Sequence, residues 1–108
     1  MVKNFGQLSS GETAHLYSLM TDMLRICVTD FGGTLVSVEV KDKSGEFVDI
    51  TLGYDDVAGY ENDNDCFGFN IGRNANRISN AQFNLNHITS VLAQNDGESH
   101  MHCGLHLL

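Results

Sequence analysis

The sequence predicts an antiparallel all-β fold, either a sandwich or a barrel. Three observations carry that expectation. Apolar residues come in short alternating runs, the period of half-buried strands, and no stretch sustains a helical period over many turns. The 108 residues include 11 Gly and no Pro, so glycine must supply most of the turns between those runs. No internal repeat, linker or low-complexity tract interrupts the chain, so no domain boundary is expected within it.

Taken in order, His15 to Met20 reads as a first strand. Leu24-Arg25-Ile26-Cys27-Val28-Thr29 alternates as a strand half-buried in a sheet does, and Asp30-Phe31-Gly32-Gly33 ends it. Thr34 to Val40 is the clearest strand, with Val36, Val38 and Val40 expected on one face. The polar cluster Lys41 to Gly45 is a turn, and Phe47 to Leu52 should return antiparallel to the preceding strand before Gly53 stops it. Asp55 to Asp65 is acidic and loop-like, with one helical turn at Val57-Ala58-Gly59-Tyr60. Cys66 to Gly72 is apolar and glycine-spaced, as a strand lying close to other backbone would be. Gln82 to Leu85 and Thr89 to Leu92 flank Asn86-His87-Ile88 and form a second hairpin.

Charge and length remove several function classes. Lys and Arg number 6 against 14 Asp and Glu, giving a formal net charge of −8 and a pI near 4.7. Nucleic acid is therefore not expected as a partner, since phosphate contacts need clustered Lys and Arg, and docking on anionic membranes is disfavoured for the same reason. Hydrophobic residues make up 42% of the chain, which is too many for a disordered tail. No apolar run is long enough to span a bilayer. The opening Met1 to Gly6 lacks the apolar core of a signal peptide, and Cys27, Cys66 and Cys103 then read as free thiols in a reducing cytoplasm.

Two segments carry residues suited to chemistry. Gly72-Arg73-Asn74-Ala75-Asn76-Arg77-Ile78 places two Arg and two Asn within five residues. A rigid guanidinium fork beside amide donors and acceptors suits hydroxyl-rich ligands or carboxylates, although a solvated turn would look the same. His100-Met101-His102-Cys103-Gly104-Leu105-His106 holds three His and one Cys in seven residues. Both residue types bind zinc, but the spacing fits no common zinc pattern and no second ligand cluster exists, so no metal is expected. A strand here would put His100, His102 and His106 on one face. A calcium loop at Asp63-Asn64-Asp65, which leads into Cys66-Phe67-Gly68, is rejected, because no glutamate follows to close it before the distant Glu98.

Together these segments resemble the N-terminal part of the aldose 1-epimerases, the galactose mutarotases. The resemblance rests on Phe5-Gly6, Phe31-Gly32-Gly33, Thr34-Leu35-Val36-Ser37 and Asp49-Ile50-Thr51-Leu52-Gly53-Tyr54-Asp55 followed by Tyr60. It continues through Phe67-Gly68, then Ile71-Gly72-Arg73-Asn74-Ala75-Asn76-Arg77-Ile78, Phe83-Asn84-Leu85-Asn86, and Asn95-Asp96-Gly97 through Met101-His102. The most specific string is Gly-Arg-x-Ala-Asn-Arg-Ile. Cys103, His87, Ser90 and Lys41 stand where the family more often has Gly, Gly, an aromatic residue and Pro.

The resemblance implies a galactose mutarotase-like β-sandwich, with residues 1–108 forming a single partial domain from its N-terminal portion. It implies mutarotation of free hexoses such as galactose or glucose, by general acid–base catalysis without a cofactor. Asn76, Arg77 and His102 are implied as sugar contacts, His102 with an auxiliary catalytic role. The family's acid His and base Glu are implied to lie beyond Leu108, so this chain is expected to be inactive alone, and a non-catalytic carbohydrate-binding fragment is the alternative. Open sheet edges are expected to favour self-association.

Overall fold

The computed structural model describes residues 1–63 and 65–102. The chain divides into two compact units, residues 1–70 and 71–108.

The first unit is a five-stranded antiparallel meander. It comprises β1 (Val2–Gln7), β2 (Thr13–Met20), β3 (Leu24–Thr29), β4 (Leu35–Lys41) and β5 (Phe47–Asp49), in that spatial order. The strand expected from His15 begins two residues earlier, and β3 has the expected bounds. The β4–β5 hairpin forms as expected, pairing Lys41 with Phe47. Its turn is tied by the Asp42 carboxylate, which accepts from the Ser44 and Glu46 N–H groups. β5 ends at Asp49 rather than Leu52. There the Asp49 carboxylate takes the N–H groups of Val38 and Thr51, so side-chain bonding displaces the regular ladder.

Two expectations fail for local reasons. Val36 does not share a face with Val38: pairing shifts from Cys27↔Ser37 to Val28↔Leu35, which leaves Val36 as a bulge residue packed against the core. Cys66 to Gly72 forms turns, not a strand. The Asp63 carboxylate takes the Phe67 N–H, and Gly68 adopts a φ of 67°. The expected close approach is real: Leu35 N–H donates to the Gly68 carbonyl, and a Cβ at Gly68 would overlap the Leu35 carbonyl oxygen.

The core lies on one side of this sheet. Phe5, Ala14 and Leu16 from β1 and β2 meet Val57 and Tyr60 from the short helix α1 (Val57–Glu61). Asp56 caps α1 by accepting from the Gly59 N–H, which satisfies one of the orphan donors at a helix start. Tyr60 is only 1% exposed, so its hydroxyl needs a partner, and it accepts from the Tyr54 N–H. Tyr54 packs edge-on against Tyr60 at 5.2 Å between ring centres.

The second unit has two strand pairs. β7 (Gln82–Leu85) pairs with β8 (Ile88–Val91) as the expected hairpin, its two-residue turn formed by Asn86 and His87 at φ 48° and 63°. β6 (Arg77–Ile78) pairs with β9 (His100–Met101), and a single 3-10 turn, Ser79–Ala81, joins β6 to β7.

Candidate functional site

The β6–β9 ladder places the candidate residues. Arg77 lies opposite Met101 and Ile78 opposite His100. The next position brings Asn76 opposite His102, where the ladder stops being regular. His102 has a φ of 50° and Asn76 one of 66°, both left-handed conformations that a non-glycine residue adopts only when its surroundings hold it there. Reciprocal bonds hold these two. The His102 N–H donates to the Asn76 carbonyl at 3.2 Å, and the Asn76 N–H donates to His102 Nδ1 at 3.0 Å. The imidazole nitrogen thus stands where a strand carbonyl would otherwise accept.

That bond fixes the chemistry of the ring. An N–H group can only donate, so Nδ1 is the unprotonated nitrogen and the neutral imidazole carries its proton on Nε2. His100 has the opposite tautomer. Its Nδ1 lies 2.8 Å from the Ala93 carbonyl, which can only accept, so Nδ1 carries the proton. His100 is buried, and the strand ends before His102, so the two do not share a strand face as expected. His106 and Cys103 lie outside the described residues.

Asn76 and Arg77 are likewise partly committed. Asn76 Oδ1 accepts from the Arg77 N–H at 2.9 Å, leaving its Nδ2 to donate. Arg77 Nε ion-pairs with Asp96 Oδ2, while its two Nη groups make no hydrogen bond among the described residues. Arg77 is 55% and Asp96 39% exposed, and an ion pair that open is worth about 0.2–1 kcal/mol. Its effect is to orient the guanidinium rather than to hold the fold.

The backbone behind these groups is secured by Asn95, whose amide brackets Met101. Asn95 Oδ1 accepts the Met101 N–H at 2.6 Å and Nδ2 donates to the Met101 carbonyl at 2.8 Å. Asp96 pairs both backbone groups with Ser99. The polar turn pattern Asn95-Asp96-Gly97 was the only sequence signal for these supporting residues. What remains unengaged on Asn76, Arg77 and His102 among the described residues is a set of donors: Nδ2, the Nη groups and Nε2. Such a set reads oxygen lone pairs, as on hydroxyls and ring ethers. It has no unengaged basic nitrogen.

Solved structures with the same architecture define the class. A GalM/aldose epimerase homologue from Caenorhabditis elegans superposes with a TM-score of 0.79 at 28% identity, covering 85% of this chain and 29% of that one. A galactose 1-epimerase from Lactobacillus acidophilus superposes with a TM-score of 0.80 at 23% identity, over 97% of this chain and 30% of that one. The fold is that of the galactose mutarotase-like antiparallel β-sandwiches.

Sequence comparison gives the family. The aldose 1-epimerase family model matches residues 15–106, and the chain belongs to that family. It is 37% identical to bovine galactose mutarotase and 36% identical to the human protein, each over 102 residues. Those matches cover 94% of this chain but 30% of each relative, so the chain spans about a third of their length.

Proposed function

We propose that this chain contributes the sugar-binding wall of an aldose 1-epimerase that interconverts the α and β anomers of free hexoses such as galactose or glucose. The observation that carries this reading is the donor set of Asn76, Arg77 and His102, drawn together by the Asn76–His102 bonds. Asn76 Nδ2 and the Arg77 Nη groups donate to sugar hydroxyls. His102 Nε2–H donates to a hydroxyl or to the ring oxygen, an auxiliary part in catalysis. Mutarotation also needs a base to take the anomeric hydroxyl proton while an acid protonates the ring oxygen. His102 Nδ1 is engaged by Asn76, so this trio does not supply that base.

The same feature supports a second reading, a non-catalytic carbohydrate-binding fragment. On either reading residues 1–108 act as one partial domain, the N-terminal part of a mutarotase-like sandwich, an assignment supported by the 30% coverage of the relatives. Cytoplasmic residence is supported by the free thiols of Cys27 and Cys66. Among the described residues, no helix is long and apolar enough to cross a membrane.

The test has two parts. Galactose titrated into the chain should shift the NMR signals of Asn76, Arg77 and His102, and Arg77→Ala should weaken binding about tenfold or more. Absence of those shifts in the wild type removes the site. Polarimetry should show no acceleration of glucose mutarotation by the chain alone. Acceleration would mean that a base exists here and would favour the enzyme over the binding fragment.

A further inference from the structure

We propose that Asp96 is the positioning residue for Arg77, and that its charge makes this site accept neutral sugars and reject anionic ones. The inference rests on the sugar-wall reading above and deepens it.

A guanidinium grips a carboxylate or phosphate through two parallel N–H groups, either along its Nε–Nη edge or across its two Nη groups. In this chain Asp96 Oδ2 occupies Nε, so the first edge is closed. An anion approaching the second edge meets a guanidinium already paired with a carboxylate. Its attraction to Arg77 is offset by repulsion from Asp96. A hydroxyl carries no net charge and meets no such opposition.

Asp96 is well placed to hold that position. Its N–H donates to the Ser99 carbonyl at 3.2 Å and its carbonyl accepts from the Ser99 N–H at 3.0 Å. Gly97, at a φ of 58°, makes the turn between them. The backbone under the carboxylate is therefore fixed, and Arg77 is fixed in turn by its ladder pairing with Met101. An arginine held by one nitrogen loses less freedom when the rest of its fork engages a ligand.

Asp96→Asn and Asp96→Ala separate the two effects. Asparagine keeps an oxygen that can accept from Nε but removes the charge, whereas alanine removes both. The probes are galactose and galacturonate, titrated into the 108-residue chain by NMR, together with the Arg77 Nε–H signal. Asp96→Asn should raise galacturonate affinity relative to galactose by about fivefold or more. Asp96→Ala should weaken galactose binding by about two- to tenfold and broaden the Nε–H signal through solvent exchange. An unchanged galacturonate-to-galactose ratio in Asp96→Asn overturns the charge role. Unchanged galactose affinity and an unchanged Nε–H signal in Asp96→Ala overturn the positioning role. If neither sugar binds the wild-type chain, the sugar reading falls, and the specificity role with it. The Nε–H signal still decides whether Asp96 holds Arg77.

Discussion

Asp63, in the loop that follows α1, gathers three donors: the N–H groups of Asp65 at 2.7 Å and Phe67 at 2.9 Å from the same loop, and the hydroxyl of Tyr54, which precedes α1, at 3.0 Å. Loss of solvent is the largest single influence on this carboxyl and pushes its pKa up. The hydrogen bonds together outweigh it, so Asp63 titrates below the ordinary 3.8. The bond to Asp63, then desolvation, raises Tyr54 above the ordinary 10.0. The signs give two pH windows. A lowered carboxyl stabilises the fold above its unfolded pKa, and that contribution disappears as pH falls through the folded value. A raised phenol stabilises below its unfolded pKa and loses that contribution as pH climbs through the folded one. The first unit should therefore lose melting temperature below about pH 4. Asp63→Asn should flatten part of that loss, because Asp30, Asp42 and Asp49 are also lowered and keep the remainder. Melting curves between pH 5 and pH 2 check this, and equal acid slopes in variant and wild type would count against it. Tyr54→Phe should likewise weaken the alkaline loss above pH 10.

Elements respond to glycine in opposite directions. In α1, helix propensity alone favours Gly59→Ala by about 1 kcal/mol. A Cβ there would overlap the Tyr54 ring, and overpacking costs about 1–3 kcal/mol, so the variant should be less stable in urea. In the β7–β8 turn the balance reverses. His87 sits at φ 63°, which costs an L-residue about 1–2 kcal/mol, while glycine adds about 0.5–1 kcal/mol of backbone entropy. His87→Gly should therefore slow amide exchange at Phe83 and Ser90; faster exchange would refute it. The hairpin was legible but its two-residue turn was not: Ile88 reads as part of the connection yet pairs with Leu85, and only the family's usual glycine at position 87 pointed to a positive φ. Strands β3 and β7 were legible too, because their residues alternate without interruption. β1 was not: Gly6 sits at a register shift against β2, so Val2 to Gln7 shows no clean period. The Cys66–Gly72 turns were hidden because the Asp63 carboxylate replaces a strand partner. The Asn76, Arg77 and His102 grouping came from family resemblance, not from periodicity. Asp96 was missed because its link to Arg77 spans 19 residues and no local pattern announces it.

At the scale of the whole chain, apolar surface competes with net charge. On the sheet face away from the core, Tyr17 pairs with Val28, Leu19 with Ile26 and Ile26 with Val38; Leu24 pairs with Val40 and Val40 with Val48. Tyr17, Leu19, Val48 and Ile50 on this face remain 42–65% exposed. β1 and β5 are the outer strands of this sheet, each with one side unpaired by the ladder. Fully burying such a side chain gains about 1.5–3 kcal/mol, and these are already about half covered. Two copies meeting face to face would then gain roughly 6–12 kcal/mol, against about 4–15 kcal/mol of lost freedom. Association should be weak and concentration-dependent. The charge of −8 on each copy opposes it, and salt screens that repulsion over about 8 Å at physiological strength. Raising salt should therefore strengthen association, the reverse of what an ion-paired interface would show. Leu19→Lys adds a charge in mid-face at a site 65% exposed, so it should suppress association while leaving the fold intact. Sedimentation velocity at several concentrations and two salt levels tests this. A monomer under every condition would show that neither the apolar face nor the open edges recruit a second copy, and association that weakens with salt would place the contact on charged groups instead.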